Sequence, residues 1–281
     1  MTHDAGMPHR ERAGTIRPRA SAWGRYVAVG DSFTEGMSDH DPAAKDAYIG
    51  WADRLAALLS VHVPEFSYAN LAIRGRKLDD VAGRQVEDAL VLGPDLVSIV
   101  GGGNDILRPT ADIDALAAQL DRAVARLRAS GADVLMATPT DPSGAPVIRR
   151  TTGRAATYSA HIWTIAGRHG CYVLNQWAFD FLKDWRMWAP DRIHMTTEGH
   201  RRVALAAYEA LGHRAEEADW GVPLPPQPRP DRIETLRGNA QWAREHAAPW
   251  VRRRLQGRSS GDHVVPKRPR LAPLPDRDGS P

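Results

Sequence analysis

The chain is poor in cysteine, in lysine and in long apolar runs, and each shortage narrows what it can be. A single cysteine, Cys171, in 281 residues excludes an intramolecular disulfide framework and a thiolate metal cluster. Its neighbours Tyr172-Val173-Leu174 read as a buried strand, so Cys171 is expected to be an inert core thiol. No segment approaches the roughly 18 apolar residues of a membrane span. The stretch Met1–Trp23 is polar and lacks the apolar run of a secretory signal, so a cytoplasmic protein is expected. Lys+Arg 37 against Asp+Glu 34 gives a net charge of +3, too little to imply nucleic acid by itself. The excess of Arg over Lys reads as genome composition rather than phosphate recognition. Neither a GxxxxGK[ST] nor a GxGxxG spacing occurs, which removes the Gly-rich phosphate loops.

What remains is an ordinary globular composition, 42% hydrophobic and 25% charged, able to bury a core. Residues 1–24 read as a disordered leader without periodicity. From Arg25 short apolar runs appear at Tyr26–Gly30, Phe66–Leu71, Leu96–Gly101, Asp133–Thr138 and Tyr172–Leu174, each the length of a buried strand. Helical spacing separates them: Trp51, Leu55, Leu58 and Leu59, then Leu116, Leu120, Val124 and Leu127. A further helix is predicted after Thr196 or Thr197, with Glu198 in its first turn. Strands that are apolar throughout, alternating with helices, predict a parallel sheet covered on both faces.

The folded body is predicted over residues 25–214. The remainder, 215–281, is a Pro/Arg-rich extension, for eleven of the 21 prolines lie in residues 221–281. Pro223–Pro230 reads as an extended linker. A helix is predicted over 231–248, capped by Asp231, with Ile233, Leu236, Ala240, Ala243 and Ala247 on one face and a break near Pro249. Disorder is expected beyond Gly257.

Four polar motifs carry the chemistry. Gly30-Asp31-Ser32-Phe33-Thr34-Glu35-Gly36 follows the first strand and places a serine at or near a helix start, where its N–H could face an oxyanion while its hydroxyl attacks; taken alone, an Asx turn after a strand explains it. Asn70-Leu71-Ala72-Ile73-Arg74-Gly75 follows the second, and Gly75 serves either a turn or a close ligand approach. Gly101-Gly102-Gly103-Asn104-Asp105 follows the third; three glycines are entropically costly unless the backbone must pass close to something. The Asn104 amide is suited to donating to a developing negative charge, whereas Asp105 braces the turn. Asp191-Arg192-Ile193-His194 precedes the last helix of the body, and a carboxylate three residues before a histidine can bond Nδ1–H and fix the tautomer.

These motifs, in this order and each on the expected element, resemble the four blocks of the SGNH (GDSL-like) esterase/lipase family: GDS, N-x-A-x-x-G, GxND and DxxH. The resemblance covers roughly residues 25–214. It implies a flavodoxin-like three-layer α/β/α sandwich with a central parallel sheet, and a serine esterase working through an acyl-enzyme. Carried over, it makes Ser32 the nucleophile, with its backbone N–H in an oxyanion hole completed by Gly75 and Asn104. His194 becomes the general base and acid, and Asp191 its orienting partner. The implied substrate is a small-molecule ester, and no cofactor or metal is implied. An acyltransferase on the same scaffold remains an alternative. A metal-dependent phosphoesterase ranks lower, since no histidine accompanies Asp31 or Asn104, and so does a non-catalytic binding module, since the Ser, Gly, Asn and Asp–His set is intact.

Other residues receive blander readings. His161, His169, His200 and His213 are assigned solvated or capping roles beside helices. Trp177, Trp185 and Trp188 could wall an acyl pocket, with core packing favoured. Arg252-Arg253-Arg254 and Lys267-Arg268-Pro269-Arg270 could touch nucleic acid or acidic lipid, with a solvated tail favoured.

Overall fold

The structure, a computed structural model, describes residues 22–44, 47–145, 148–227, 231–249 and 259–275. The order is β1 (Arg25–Val29), α1 (Ser32–Glu35), α2 (Gly50–Ser60), β2 (Ser67–Asn70), α3 (Leu78–Asp80), α4 (Val86–Leu92), β3 (Leu96–Ile99), α5 (Gly103–Ile106), α6 (Ile113–Ala129), β4 (Asp133–Ala137), α7 (Thr152–His169), β5 (Tyr172–Leu174), α8 (Thr197–Ala210), α9 (Arg232–Trp242) and β6 (Arg268–Ala272). A π-turn, Val81–Gln85, joins α3 to α4. The sheet runs β5-β4-β3-β1-β2-β6. β1 to β5 are mutually parallel, and β6 pairs antiparallel with β2.

Strand side chains alternate between two core layers, as the twofold period of a strand requires. Tyr26, Ala28, Leu96 and Leu135 pack with Trp51, Leu55 and Leu59 of α2 and Val203, Ala207 and Leu211 at α8. Val27, Val29, Val97, Val134 and Met136 pack instead with Val86 of α4, Leu120, Val124 and Leu127 of α6, and Tyr158 and Ile162 of α7. Both faces are therefore covered, which is why the strands read as apolar throughout. Each fully buried aliphatic side chain of this kind contributes about 1.5–3 kcal/mol. The expected helices are present. α6 is capped by Asp112, whose carboxylate accepts from Ala115 N, and α8 by Thr196, which accepts from Gly199 N. Cys171 is buried, and burial pushes its thiol up to about 12.

Three expectations need correction. Trp23, placed in the leader, is 3% exposed; it meets Tyr172 edge-on and donates Nε1–H to Asp133 at 3.0 Å. Residues 1–21 lie outside the described residues. The disorder expected beyond Gly257 does not hold for 259–275, where β6 adds a strand to the sheet. The solvated tail assigned to Lys267 and Arg268 fails with it, and Arg252-Arg253-Arg254 lie outside the described residues. The helix predicted over 231–248 forms as α9 with an Asp231/Glu234 capping box and a π-turn at Ala243–Ala247. On the face expected to be apolar Leu236 is 68% exposed, and the side chains of Ile233 and Ala247 lie outside those described. No helix among the described residues is long and apolar enough to cross a membrane.

Candidate active site

β3, β1 and β2 are parallel neighbours, so the loops leaving their carboxyl ends must lie side by side, where open α/β sheets hold ligands. The first three motifs are these loops. In the first, Asp31 caps α1 by accepting Phe33 N–H at 3.1 Å, and Ser32 opens the helix. The Gly30 peptide just before is gripped by the Gln85 side chain, which accepts Gly30 N–H at 2.8 Å and donates to Gly30 O at 3.0 Å. Gln85 lies in the π-turn, a distortion often found at functional sites.

In the third loop Gly102 has φ +97°, and a Cβ there would come within 2.8 Å of the Tyr158 hydroxyl. Only glycine fits both demands. α5 then presents Asn104, whose amide donates to Arg76 O at 2.9 Å and to Asp31 Oδ2 at 3.2 Å. Asp105 braces the loop, its carboxylate accepting Leu78 N–H at 2.9 Å. Burial pushes the Asp31 carboxyl up to about 6, against the Phe33 N–H and the nearby His194.

The Asp191–His194 motif sits in a tight loop closed by a Trp188–Met195 bridge. Asp191 Oδ2 lies 2.6 Å from His194 Nδ1, and Oδ1 accepts the N–H groups of Ile193 and His194 at 2.9 and 3.0 Å. Burial works to raise the Asp191 carboxyl, but the hydrogen bonds from His194 and these two N–H groups outweigh it and hold it at about 2. Between the two acts Arg192, at φ +58°, a costly backbone region for a side-chain-bearing residue. Its guanidinium lies over the rings of Trp185 and Trp242, 5.5 and 5.2 Å from their centroids, and donates to Asn239 Oδ1 at 2.7 Å. Trp242 also donates to Asp191 O at 2.9 Å, so α9 of the extension clasps this loop.

One cavity of about 210 Å³ gathers Ser32, Asn104 and His194 on its wall. Asp191 stands behind His194. Gly75 is not on that wall; it lies in the neighbouring loop at φ +73°, one residue before the Arg76 carbonyl that takes the Asn104 amide. The rest of the cavity is largely apolar, with Val100, Ile106, Leu107, Ile148, Trp188 and Met195. Of the three tryptophans singled out above, Trp188 walls this cavity, Trp177 packs on a core layer, and Trp185 lies under Arg192. Among the described residues no three His, Cys, Asp or Glu side chains form a group able to hold a metal ion. Should Asn104 be the oxyanion donor that the family resemblance implies, an Asn104→Ala variant is expected to lower kcat for ester hydrolysis by about 10²–10³ with little change in KM; steady-state kinetics checks it.

The sequence reading missed Gln85, Arg192 with its two tryptophans, and His200. His161 pairs with Asp114 and His169 with Asp121, and His213 stacks on Tyr208, but His200 is buried on the cavity wall. Its Nδ1 accepts Trp51 N–H at 3.2 Å, so that nitrogen carries no proton. Burial pushes the ring down to about 4. Beside it Asp39 accepts from Gly50 N, Arg54 and Thr197. A histidine whose folded-state value is depressed stabilises the fold above its ordinary value near 6.5, and this stabilisation is lost as pH falls through about 4. The stability advantage of wild type over His200→Gln is therefore expected to shrink, on the order of 3 kcal/mol, between pH 7 and pH 4. Urea unfolding of both proteins at the two pH values measures it; an unchanged difference would show that His200 does not titrate this way.

A mostly parallel sheet with these loops at its carboxyl end defines a hydrolase of the SGNH type. Residues 28–202, well over half of the chain, match the GDSL-like lipase/acylhydrolase family, and the chain belongs to that family of carboxylic ester hydrolases. No curated protein shows significant similarity to it. Among solved structures it is similar to LAE5, an alpha/beta hydrolase from the metagenome of Lake Arreo, Spain, with 24% identity and a TM-score of 0.56 over 67% of this chain and 95% of that one. It is also similar to a variant of Axe2, an acetyl xylan esterase from Geobacillus stearothermophilus, at 20% identity and TM-score 0.57, covering 69% of this chain and 97% of that one. TesA aligns at 22% identity and TM-score 0.53, over 66% and 97%. At such identities these likenesses speak to the fold.

Proposed function

We propose that the chain hydrolyses carboxylic esters through an acyl-enzyme on Ser32. The observation that carries this reading is the 2.6 Å Asp191–His194 contact, with His194 on the same cavity wall as Ser32 and Asn104. Asp191 holds the proton on Nδ1 and leaves Nε2 free to accept. His194 Nε2 takes the Ser32 hydroxyl proton as Oγ bonds to the ester carbonyl carbon, and the carbonyl electron pair moves onto oxygen. The oxyanion is met by the Ser32 N–H and the Asn104 amide, whose longer contact, to Asp31, is the one a substrate oxygen would share; the family resemblance adds the Gly75 N–H, which sits in the neighbouring loop off the cavity wall. Collapse expels the alkoxide, which takes the proton from His194. Water then attacks the acyl-enzyme by the same route and regenerates Ser32. The apolar cavity wall favours an apolar acyl group as its occupant, and one of the structural relatives, Axe2, is an acetyl xylan esterase.

The test uses p-nitrophenyl esters from acetate upward, with and without chelator, together with an alkyl phosphonofluoridate. Stoichiometric labelling mapped to Ser32 with parallel loss of turnover supports the reading. Turnover that persists after full labelling, or that chelator abolishes, overturns it.

A further inference from the structure

The Pro/Arg-rich extension returns to the sheet beside the loops that carry Ser32 and Gly75. A turn at Ser259–Asp262, closed by Asp262 N–H to Ser259 O at 3.2 Å and Ser259 N–H to Asp262 Oδ2 at 2.9 Å, lies directly on Arg74 and Gly75. A Cβ on Gly75 would collide with Ser259 Oγ, and one on Gly261 with Arg74 O. The chain then enters β6, where Arg268 is in register with Asn70, the residue that opens the Gly75 loop. Leu271 and Leu274 pack against opposite core layers.

Lys267, just before β6, reaches furthest inward. Its ammonium has four acceptors within reach, Glu35 O at 2.6 Å, Ile49 O at 2.6 Å, Tyr48 O at 3.0 Å and Asp53 Oδ2 at 2.6 Å, which share its three N–H groups. Glu35 ends α1, the four-residue helix that begins at Ser32. One helical turn has no stability of its own, so the place of Ser32 depends on what grips each end. Gln85 grips the front, at Gly30. Lys267 grips the back. Two further ties link the same turn to the Gly75 loop: Asn70 donates to Thr34 O at 2.9 Å, and the Glu35 carboxylate takes the Arg74 N–H at 2.6 Å and its guanidinium. The residue type is informative too. A chain with 33 arginines and four lysines places a lysine here, where three carbonyls and a carboxylate converge on a compact tetrahedral ammonium that a planar guanidinium would not match.

We propose that residues 259–275 form a strap belonging to the active site, with Lys267 a positioning residue that fixes the helix carrying Ser32 against the Gly75 loop. The proposal rests on the esterase reading above for its kinetic consequence, but not for its structural one.

Full-length Lys267→Met and Lys267→Arg test it. Misplacement of reacting groups by about 1 Å costs roughly 10²-fold, so Lys267→Met is expected to lower kcat about 10- to 100-fold with KM within about twofold. It should weaken an alkylboronic acid, which binds as a tetrahedral adduct, by a similar factor, and speed amide exchange in residues 32–37 and 73–76 while α6 keeps its protection. Lys267→Arg should not restore the rate. Unchanged kcat per folded molecule, with unchanged exchange in both segments, overturns the proposal even if the melting temperature falls. Should Lys267→Met fail to fold, Gly261→Ala, whose methyl pushes the turn off Arg74, is read by the same measurements. If wild type hydrolyses no ester, the esterase reading falls and the strap is judged by exchange alone: faster exchange confined to the two segments upholds it, and its absence overturns it.

Discussion

Ser32→Ala is expected to lower kcat for p-nitrophenyl ester hydrolysis by about 10⁴–10⁶, the scale seen when a serine nucleophile is removed. In the proposed mechanism no acyl-enzyme forms without Oγ, and any burst of nitrophenol before steady turnover should vanish with it. What survives is the contribution of substrate binding and oxyanion donors, roughly 10³–10⁴ above water. Ser32 is half-buried at the start of α1, and its cap, Asp31, is untouched by the change. Folding should be preserved, so circular dichroism of the variant should match wild type. Equal rates in the two proteins would remove Ser32 as the nucleophile, and the proposed mechanism with it.

Asp191→Asn is expected to be nearly as severe, about 10⁴ in kcat at neutral pH, if its tautomer role matches that of the serine-protease aspartate. The amide can offer its N–H₂ to His194 Nδ1, which places the ring proton on Nε2, where the Ser32 proton must go. Oδ1 can still take the N–H groups of Ile193 and His194, so the loop should keep its shape. A stability difference accompanies the kinetic one. The Asp191 carboxyl is held at about 2, below its ordinary value near 3.9. Such a group stabilises the fold above that ordinary value and loses the effect as pH falls through about 2. Wild type should therefore exceed Asp191→Asn in stability by on the order of 2 kcal/mol at pH 7, with the gap closing in acid. Kinetics at neutral pH and thermal unfolding across pH 2–7 separate the two effects.

The parallel strands and the helices between them were legible because burial on both faces writes continuous apolar runs, and the spacing of Leu116, Leu120, Val124 and Leu127 admits one face of one helix. The four motifs were legible because the topology carries each loop to the same sheet end. Lys267-Arg268-Pro269-Arg270 misled for a physical reason. An edge strand uses only alternate N–H groups and tolerates proline, so β6 has the composition of a solvated tail. The contact of Trp242 with the Asp191 loop spans 51 residues of sequence separation, which local pattern does not encode. His200 was misplaced because its burial comes from Trp51 and Phe33, which reach it from elsewhere in the chain. Trp23 was lost for the opposite reason: one anchoring residue at the end of a polar stretch leaves no periodicity.

β6 also covers a sheet edge that β2 would otherwise expose. A bare sheet edge is a template onto which a strand from another chain can add, and β2 would offer such an edge next to the residues that form the catalytic loops. β6 occupies it with a short strand bearing Pro269, which has no N–H to give, between Arg268 and Arg270. Proline and positive charge both discourage a seventh strand. Among the described residues, the segment that reads as the least structured part of the sequence thus forms the sixth and outermost strand, with the features that make an edge a poor template for another chain.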